Sequence, residues 1–258
     1  MICLTFPRAC VILYPMSEYC KTVAYPLRYS SFDFKDELHP SALLDLAQEA
    51  ATASADELGF GYADLKPNNF GFIIVNTYCE LRRPVVLGET VTMETWPLPP
   101  RHVFFERDYR ARVGEEEVAA IASRWCLVDL STFSMLRPEA LGAAHENCPY
   151  RAQRTAEPPS WKIPRITSGK EVYTMRVGVS HCDHYLHANN ARYADFFFDC
   201  FTMYELRERR VRSFQLTYSK QAKPGSVLSL WREDREYGAV CEVRCEGELL
   251  TQFLVRFA

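Results

Sequence analysis

The chain contains its own plan twice. The stretch "YPLRYSSFDFKDELHP", from Tyr25, and the stretch "YTMRVGVSHCDHYLHA", from Tyr173, align at an offset of 148 that pairs Arg28 with Arg176, Leu38 with Leu186 and His39 with His187. Further on, "VVLGETV" matches "AKPGSVL" through Gly88 and Gly225, and Gly114 matches Gly247. The offset shrinks along the chain, as it does when the second copy has shorter loops. Any fold for this sequence must be one unit built twice.

The unit can be read from periodicity. Leu43, Leu46, Ala47, Ala50 and Leu58 recur at helical spacing over residues 40–58, with Pro40 in the first turn and Gly59 as the stop. Four extended segments follow, near 71–81, 90–96, 103–113 and 118–130, separated by Gly88, Gly114 and the prolines 97, 99 and 100. In the second copy a strand-like "EVYTMRVGV" leads to a helix with Tyr193, Phe196, Phe197, Cys200, Phe201 and Tyr204 on one face. Extended segments then fall near 213–222, 226–232, 238–245 and 249–257.

A strand, a long apolar helix and an antiparallel meander have one compact solution, a sheet curled around its helix, and two such units can continue one sheet with their helices packed between them. The expected class is α+β, a tandem (double) hot-dog of two antiparallel sheets each wrapped around a long central helix. Two unrelated α+β domains share the pattern. The expected organisation is an N-terminal appendage at 1–20, with Met16 as an alternative start. A first hot-dog unit at 21–136, a Pro-rich connector at 137–170 and a second unit at 171–258 carrying the active site complete it.

Composition excludes several classes. At 258 residues and 48% hydrophobic the chain can bury a large core, and a net charge of −3 offers no basic footprint for nucleic acid. The apolar run at the N-terminus is broken by Pro7, Arg8 and Pro15, lacks a small-residue cleavage site and is too short to span a bilayer. A cytoplasmic protein without a membrane span is expected. The ten cysteines form no C-x-x-C pair, so they read as free thiols, with Cys241 and Cys245 on one strand face.

The densest chemistry is "SHCDHYLHANNARY", Ser180 to Tyr193. His181, His184 and His187 are three apart, which sends them to drifting faces of a helix and to opposite faces of a strand, so no metal is expected. One asparagine of the pair Asn189 and Asn190 should cap the following helix. No G-x-S-x-G elbow or phosphate-binding Gly-rich loop occurs, and Cys200 belongs to an apolar helix face.

With the repeat and "HCDHYLHANNARYADFF" together, the chain resembles the acyl-acyl carrier protein (acyl-ACP) thioesterases of plants and bacteria, from about Val23 to the C-terminus. The specific element is D-x-x-x-H-x-N-N-x-x-Y, here Asp183, His187, Asn189, Asn190 and Tyr193; "LTYSKQAKPGSVL" is similar to the family's second active-site strand. Three positions depart from the family pattern. Tyr185 stands where an asparagine is usual, Gln221 where a glutamate is usual, and Ala222 where the plant enzymes have cysteine.

The resemblance implies hydrolysis of a fatty-acyl thioester carried on acyl carrier protein, with water as co-substrate and no cofactor. Acyl-CoA hydrolysis and a catalytically weak acyl-binding protein are the alternatives. Such chemistry needs a base or nucleophile and donors for the carbonyl oxygen. Asp183 is the candidate for the first role, and His187 for carbonyl binding or proton shuttling. Asn189 would position the loop and Gln221 would orient water from the second strand. Tyr185 adds either a hydroxyl or an apolar wall. The free N–H groups at the start of the Tyr193 helix are a further place for the carbonyl, with Asn190, Tyr193 and Arg192 expected to bind substrate.

Arg192, Arg207, Arg209 and Arg210 are candidates for docking the acidic carrier. Offset 148 sets Lys35 against Asp183, which predicts one active site per chain. The alanines of the first helix leave either room for an acyl tail or close helix packing. A homodimer through sheet edges is possible.

Overall fold

The computed structural model describes residues 19–258; the expectations about the first eighteen residues and Met16 lie outside that range. The first copy comprises β1 (Lys21–Tyr25), α1 (Pro40–Glu57), α2 (Tyr62–Leu65), β2 (Phe70–Leu81), β3 (Val91–Pro97), β4 (Phe104–Val113), β5 (Glu116–Asp129) and the short β6 (Met135–Leu136). A connector with the single turn α3 (Ala143–Glu146) leads to β7 (Lys170–Arg176), α4 (Arg192–Phe198), α5 (Met203–Glu208), β8 (Val211–Tyr218), β9 (Val227–Arg235), β10 (Gly238–Cys245) and β11 (Glu248–Phe257).

The two expected sheets are halves of one. Its strands run β1-β3-β4-β5-β2-β8-β11-β10-β9-β7, all pairs antiparallel, with β6 added on β5. The halves meet at β2 and β8, where Asn76 lies opposite Thr217 and Glu80 opposite Ser213. The sheet's inner face and the helices share one core, from Leu43, Ala47 and Ala50 of α1 to Phe197, Phe214 and Phe253 of the second copy. The alternative of two unrelated domains is therefore rejected. Cys241 and Cys245 both pack into this core, and the eight cysteines described are free thiols. Among the described residues no helix is long and apolar enough to cross a membrane.

The second central helix departs from expectation. α1 runs unbroken for 18 residues, but its counterpart is split into α4, seven residues, and α5, six. The restart is a capping box: Thr202 Oγ1 accepts from Glu205 N at 3.2 Å while Glu205 Oε2 accepts from Thr202 N at 2.8 Å. Arg232 braces the gap, donating to the Cys200 carbonyl at 3.0 Å and to Glu205 Oε1 at 2.6 Å. The Arg232 bond holds the Glu205 carboxyl down at about 2. The apolar face continues across the break because Cys200 and Phe201 remain buried.

The connector is a strap over the outer face of the sheet. Four buried acids hold it: Glu106 pairs with Arg154, and Asp108 Oδ2 accepts from Thr155 N at 2.6 Å. Further along, Glu233 Oε2 accepts from Thr167 N and Ser168 N at 2.6 and 2.7 Å, and Glu242 Oε1 from Arg165 Nε at 2.9 Å. Burial pushes the Asp108 carboxyl up to about 6 against the pull of Thr155 and Arg154. Between about pH 4 and 6 the folded state therefore holds a proton the unfolded chain has released, so this group's contribution falls as pH rises. Thermal midpoints of wild type should decline more steeply over that window than those of Asp108→Asn; parallel profiles would remove Asp108 as the source.

Candidate active site

The loop between β7 and α4 is built by its own polar groups. Asp183 N donates to the His187 carbonyl at 3.1 Å, Leu186 N to the Asp183 carbonyl at 3.1 Å, and Asp183 Oδ1 accepts from Tyr185 N at 2.9 Å. Asn189 N closes the loop on the His181 carbonyl at 2.9 Å. Leu186 sits at φ +64° and is 75% exposed. A left-handed leucine costs roughly 1–2 kcal/mol, a penalty that asparagine largely avoids. Leu186→Asn should therefore raise the unfolding free energy by about 1 kcal/mol in denaturant titrations; an unchanged midpoint would show that the leucine is held by a compensating contact.

The first copy has the same loop, at an offset of 150. Asp33 N donates to Glu37 O at 2.8 Å, Asp33 Oδ1 accepts from Lys35 N at 2.8 Å, Asp36 has φ +58°, and His39 N donates to Ser31 O at 2.9 Å. Asp183 therefore corresponds to Asp33, and the pairing with Lys35 is corrected. The matching Leu-His letters drew the alignment two residues out, a slip that alternation cannot detect because it keeps every side chain on its face. What the first copy lacks is the imidazole. Glu37 stands where His187 is, and its carboxylate is 2.6 Å from Lys35 Nζ.

Asp183 and His187 are both half-buried, with His187 Nδ1 3.7 Å from Asp183 Oδ1 and 3.4 Å from the Ala188 carbonyl. Both neighbours are acceptors, which assigns the neutral ring's proton to Nδ1 and its lone pair to Nε2. Tyr185 stacks on His187, centroids 6.0 Å apart, and is half exposed. His181 is structural: Nδ1 accepts from Gly178 N at 3.0 Å and the ring packs edge-on against Phe196. His184 lies against Tyr185. Among the described residues no three His, Cys, Asp or Glu side chains converge as a metal site requires.

Several expected roles move. Neither asparagine is the N-cap of α4, a position held by Ala191 without a side-chain cap; Asn189 turns the chain into the helix, its Oδ1 accepting from Ala191 N at 2.8 Å and its carbonyl from Arg192 N at 3.0 Å. The Ala191 and Arg192 N–H groups are thus used within the loop. Tyr193 is buried, and its hydroxyl accepts from Ala222 N at 3.0 Å, so it braces the loop from behind. Arg192 bridges Asp195, at 2.9 Å, and Asp45 of α1, which ties the two helices together instead of facing a carrier. Arg207 packs over Phe34 of the first-copy loop, and Arg210 bonds the Arg82 carbonyl, so both are engaged elsewhere.

Gln221 was expected on a strand, but β8 stops at Tyr218, where Ser219 N and Lys220 N both turn to the Leu250 carbonyl. Gln221 is exposed in the following loop. Its neighbour Ala222 is stitched to the Asp183 loop through the Ala188 N–H, at 2.9 Å.

A narrow apolar cleft, open to solvent, begins at this loop's end. Asn190, Ala191 and Tyr218 line its near side, and it runs between Leu44 and Ala47 of α1 and Ile74 and Trp125 of the sheet. β2 bulges against β5 between Ile74 and Asn76, which re-aims the strand where it borders the cleft. The Asn190 amide has no hydrogen-bond partner among the described residues, while the Asn190 carbonyl accepts from Tyr218 Oη at 3.1 Å.

At offset 150 Ala47 and Gln48 correspond to Phe197 and Phe198, and Phe197 stacks on Phe253 with centroids 4.8 Å apart. Aromatic rings fill in the second copy the space that alanine leaves open in the first. No residue motif marked this cleft; the alanine-rich helix was the available signal.

Residues 18–137 match the acyl-ACP thioesterase N-terminal domain and residues 166–253 the acyl-ACP thioesterase C-terminal domain. The chain belongs to the acyl-ACP thioesterase family, and it is a thioester hydrolase acting on fatty-acyl thioesters. No curated protein matches the sequence.

Among solved structures, an acyl-ACP thioesterase from Bacteroides thetaiotaomicron is similar with a TM-score of 0.85 and 23% identity, covering 93% of this chain and 98% of that one. The 12:0-ACP thioesterase from Umbellularia californica gives 0.81 and 17%, covering 95% and 98%. At these identities the likeness is one of fold.

Proposed function

We propose that the thioester carbonyl of an acyl-ACP is bound beside Asp183, His187 and Asn190, with the acyl tail in the cleft under α1. The observation that carries this reading is the junction of the two features. The loop bearing the carboxylate–imidazole pair ends in Asn190 and Ala191, which line the cleft. The first-copy loop has Glu37 in place of the imidazole.

Asp183 acts as general base. Its Oδ1 is occupied by Tyr185 N, and Oδ2 has no partner among the described residues, so Oδ2 takes the proton of the attacking water. Water's oxygen bonds to the carbonyl carbon, the carbon–sulfur bond breaks with its electron pair going to sulfur, and the proton held on Oδ2 passes to that sulfur, which restores the carboxylate; His187, its Nδ1 proton directed at Asp183, orients the base. The Asn190 amide donates to the carbonyl oxygen as negative charge develops there. Tyr185 forms an apolar and aromatic wall against His187. Exposed Tyr185 and Leu186, with Val179 nearby in sequence, form a rim for the carrier.

The carrier is tested by comparing acyl-ACP and acyl-CoA of the same acyl chain. On this reading kcat/KM is higher for the protein-bound substrate by at least tenfold. Equal values would assign the acyl group alone as the recognised element, and no turnover of either, with fatty acid retained in native mass spectra, would overturn the catalytic role.

A further inference from the structure

We propose that the seam between the two halves carries a second site, on the sheet face remote from α1 and α4, for a small anion with carboxylate or phosphate oxygens. The strap is pinned to the first half by Glu106 and Asp108 and to the second half by Glu233 and Glu242. Between these anchors it bridges β2, β8 and β11, and beneath the bridge lies a cavity of about 180 Å³.

The lining is rich in donors. Gln215 on β8 is only 3% exposed, and its Nε2 has no hydrogen-bond partner among the described residues. A buried amide without an acceptor is uncommon enough to require an account. Arg256 on β11 and Lys162 on the strap also line the cavity, and neither lies within ion-pair distance of a carboxylate among the described residues. Arg256 instead packs over the Tyr237 ring, 4.8 Å from its centroid. Ser213 also lines the cavity, while the Ser160 hydroxyl is engaged by the Lys162 backbone.

The acids nearby are already committed. The strap's four are bonded as described, and Glu80 accepts from Tyr78 Oη at 2.9 Å and from Arg82 at 2.7 Å. An oxyanion supplies the acceptors that two cations and one buried amide lack, through charge-assisted bonds. The site is distinct from the hydrolytic one, because the sheet separates its outer-face lining from Asp183 and the acyl cleft.

Isothermal titration of the full chain with inorganic phosphate, and separately with citrate, tests this. The expected result is saturable one-to-one binding of at least one probe. Binding of phosphate alone would assign a phosphate ligand, and binding of citrate alone a carboxylate ligand. Lys162→Ala, Arg256→Gln and Gln215→Leu should each weaken it by about tenfold or more with acyl-ACP turnover unchanged. Lys162 is exposed on the strap, so its variant keeps the test decisive if the buried Gln215 change impairs folding. No saturable binding of either probe, or equal binding by Lys162→Ala and Arg256→Gln, would overturn the proposal.

Discussion

Asp183→Asn should lower turnover of acyl-ACP by at least ~100-fold, the scale of removing an acid–base group, with a normal thermal midpoint. Asparagine retains an oxygen that accepts from Tyr185 N, so the turn at Oδ1 survives and the loop keeps its course. What is lost is a proton acceptor, since an amide oxygen cannot take a proton at neutral pH. Asp33→Asn is the internal control. It changes the carboxylate that makes the same turn in the first copy, where Glu37 and Lys35 stand in place of His187 and Tyr185. Turnover in that variant should remain within a few-fold of wild type. Equal losses in the two variants would mean that both aspartates matter as turn formers, and the assignment of Asp183 as base would fail.

Ala47→Phe should abolish hydrolysis of long acyl chains while sparing short ones. The substitution gives the first helix the residue that its repeat carries at the equivalent place, where Phe197 stacks on Phe253. A methylene that cannot enter an apolar pocket costs about 1–3 kcal/mol in the transition state, or 10–200-fold. Exclusion of several carbons should therefore reduce kcat/KM for the long chain by more than about 100-fold. Overpacking also strains the core by about 1–3 kcal/mol, so retained turnover of a short acyl substrate identifies folded enzyme. A uniform loss across chain lengths would place the tail outside this cleft.

Much of the fold was legible because it rests on alternation and helical spacing. β2 to β5 and α1 lie within two residues of their expected positions, since their buried faces follow periods of two and 3.6. The split of the second helix was not seen through the apolar face, which runs on through Cys200 and Phe201. Its signal was present in Thr202 and Glu205, a capping box three residues apart.

The site was legible by residue type and less so by geometry. Asp183, His187 and Asn190 share a loop that leads to the cleft, but Arg192, Tyr193 and Asn189 are occupied by Asp45, Ala222 and Ala191. The Asp45 and Ala222 partners come from another helix and another loop, which no local pattern announces, whereas the Asn189 bond to Ala191 is local. The register of the repeat was misjudged for the same reason. Identical letters are visible in a sequence, whereas the backbone bonds that equate Asp33 with Asp183 are not.

A crystal structure with a non-hydrolysable long-chain acyl thioether analogue tests the central claim most directly. The account predicts the tail between Ala47 and Trp125, and the head-group oxygen within hydrogen-bond reach of Asn190 and close to Asp183. A tail bound among the second-copy helices, or a head group beside Asp33, would contradict it.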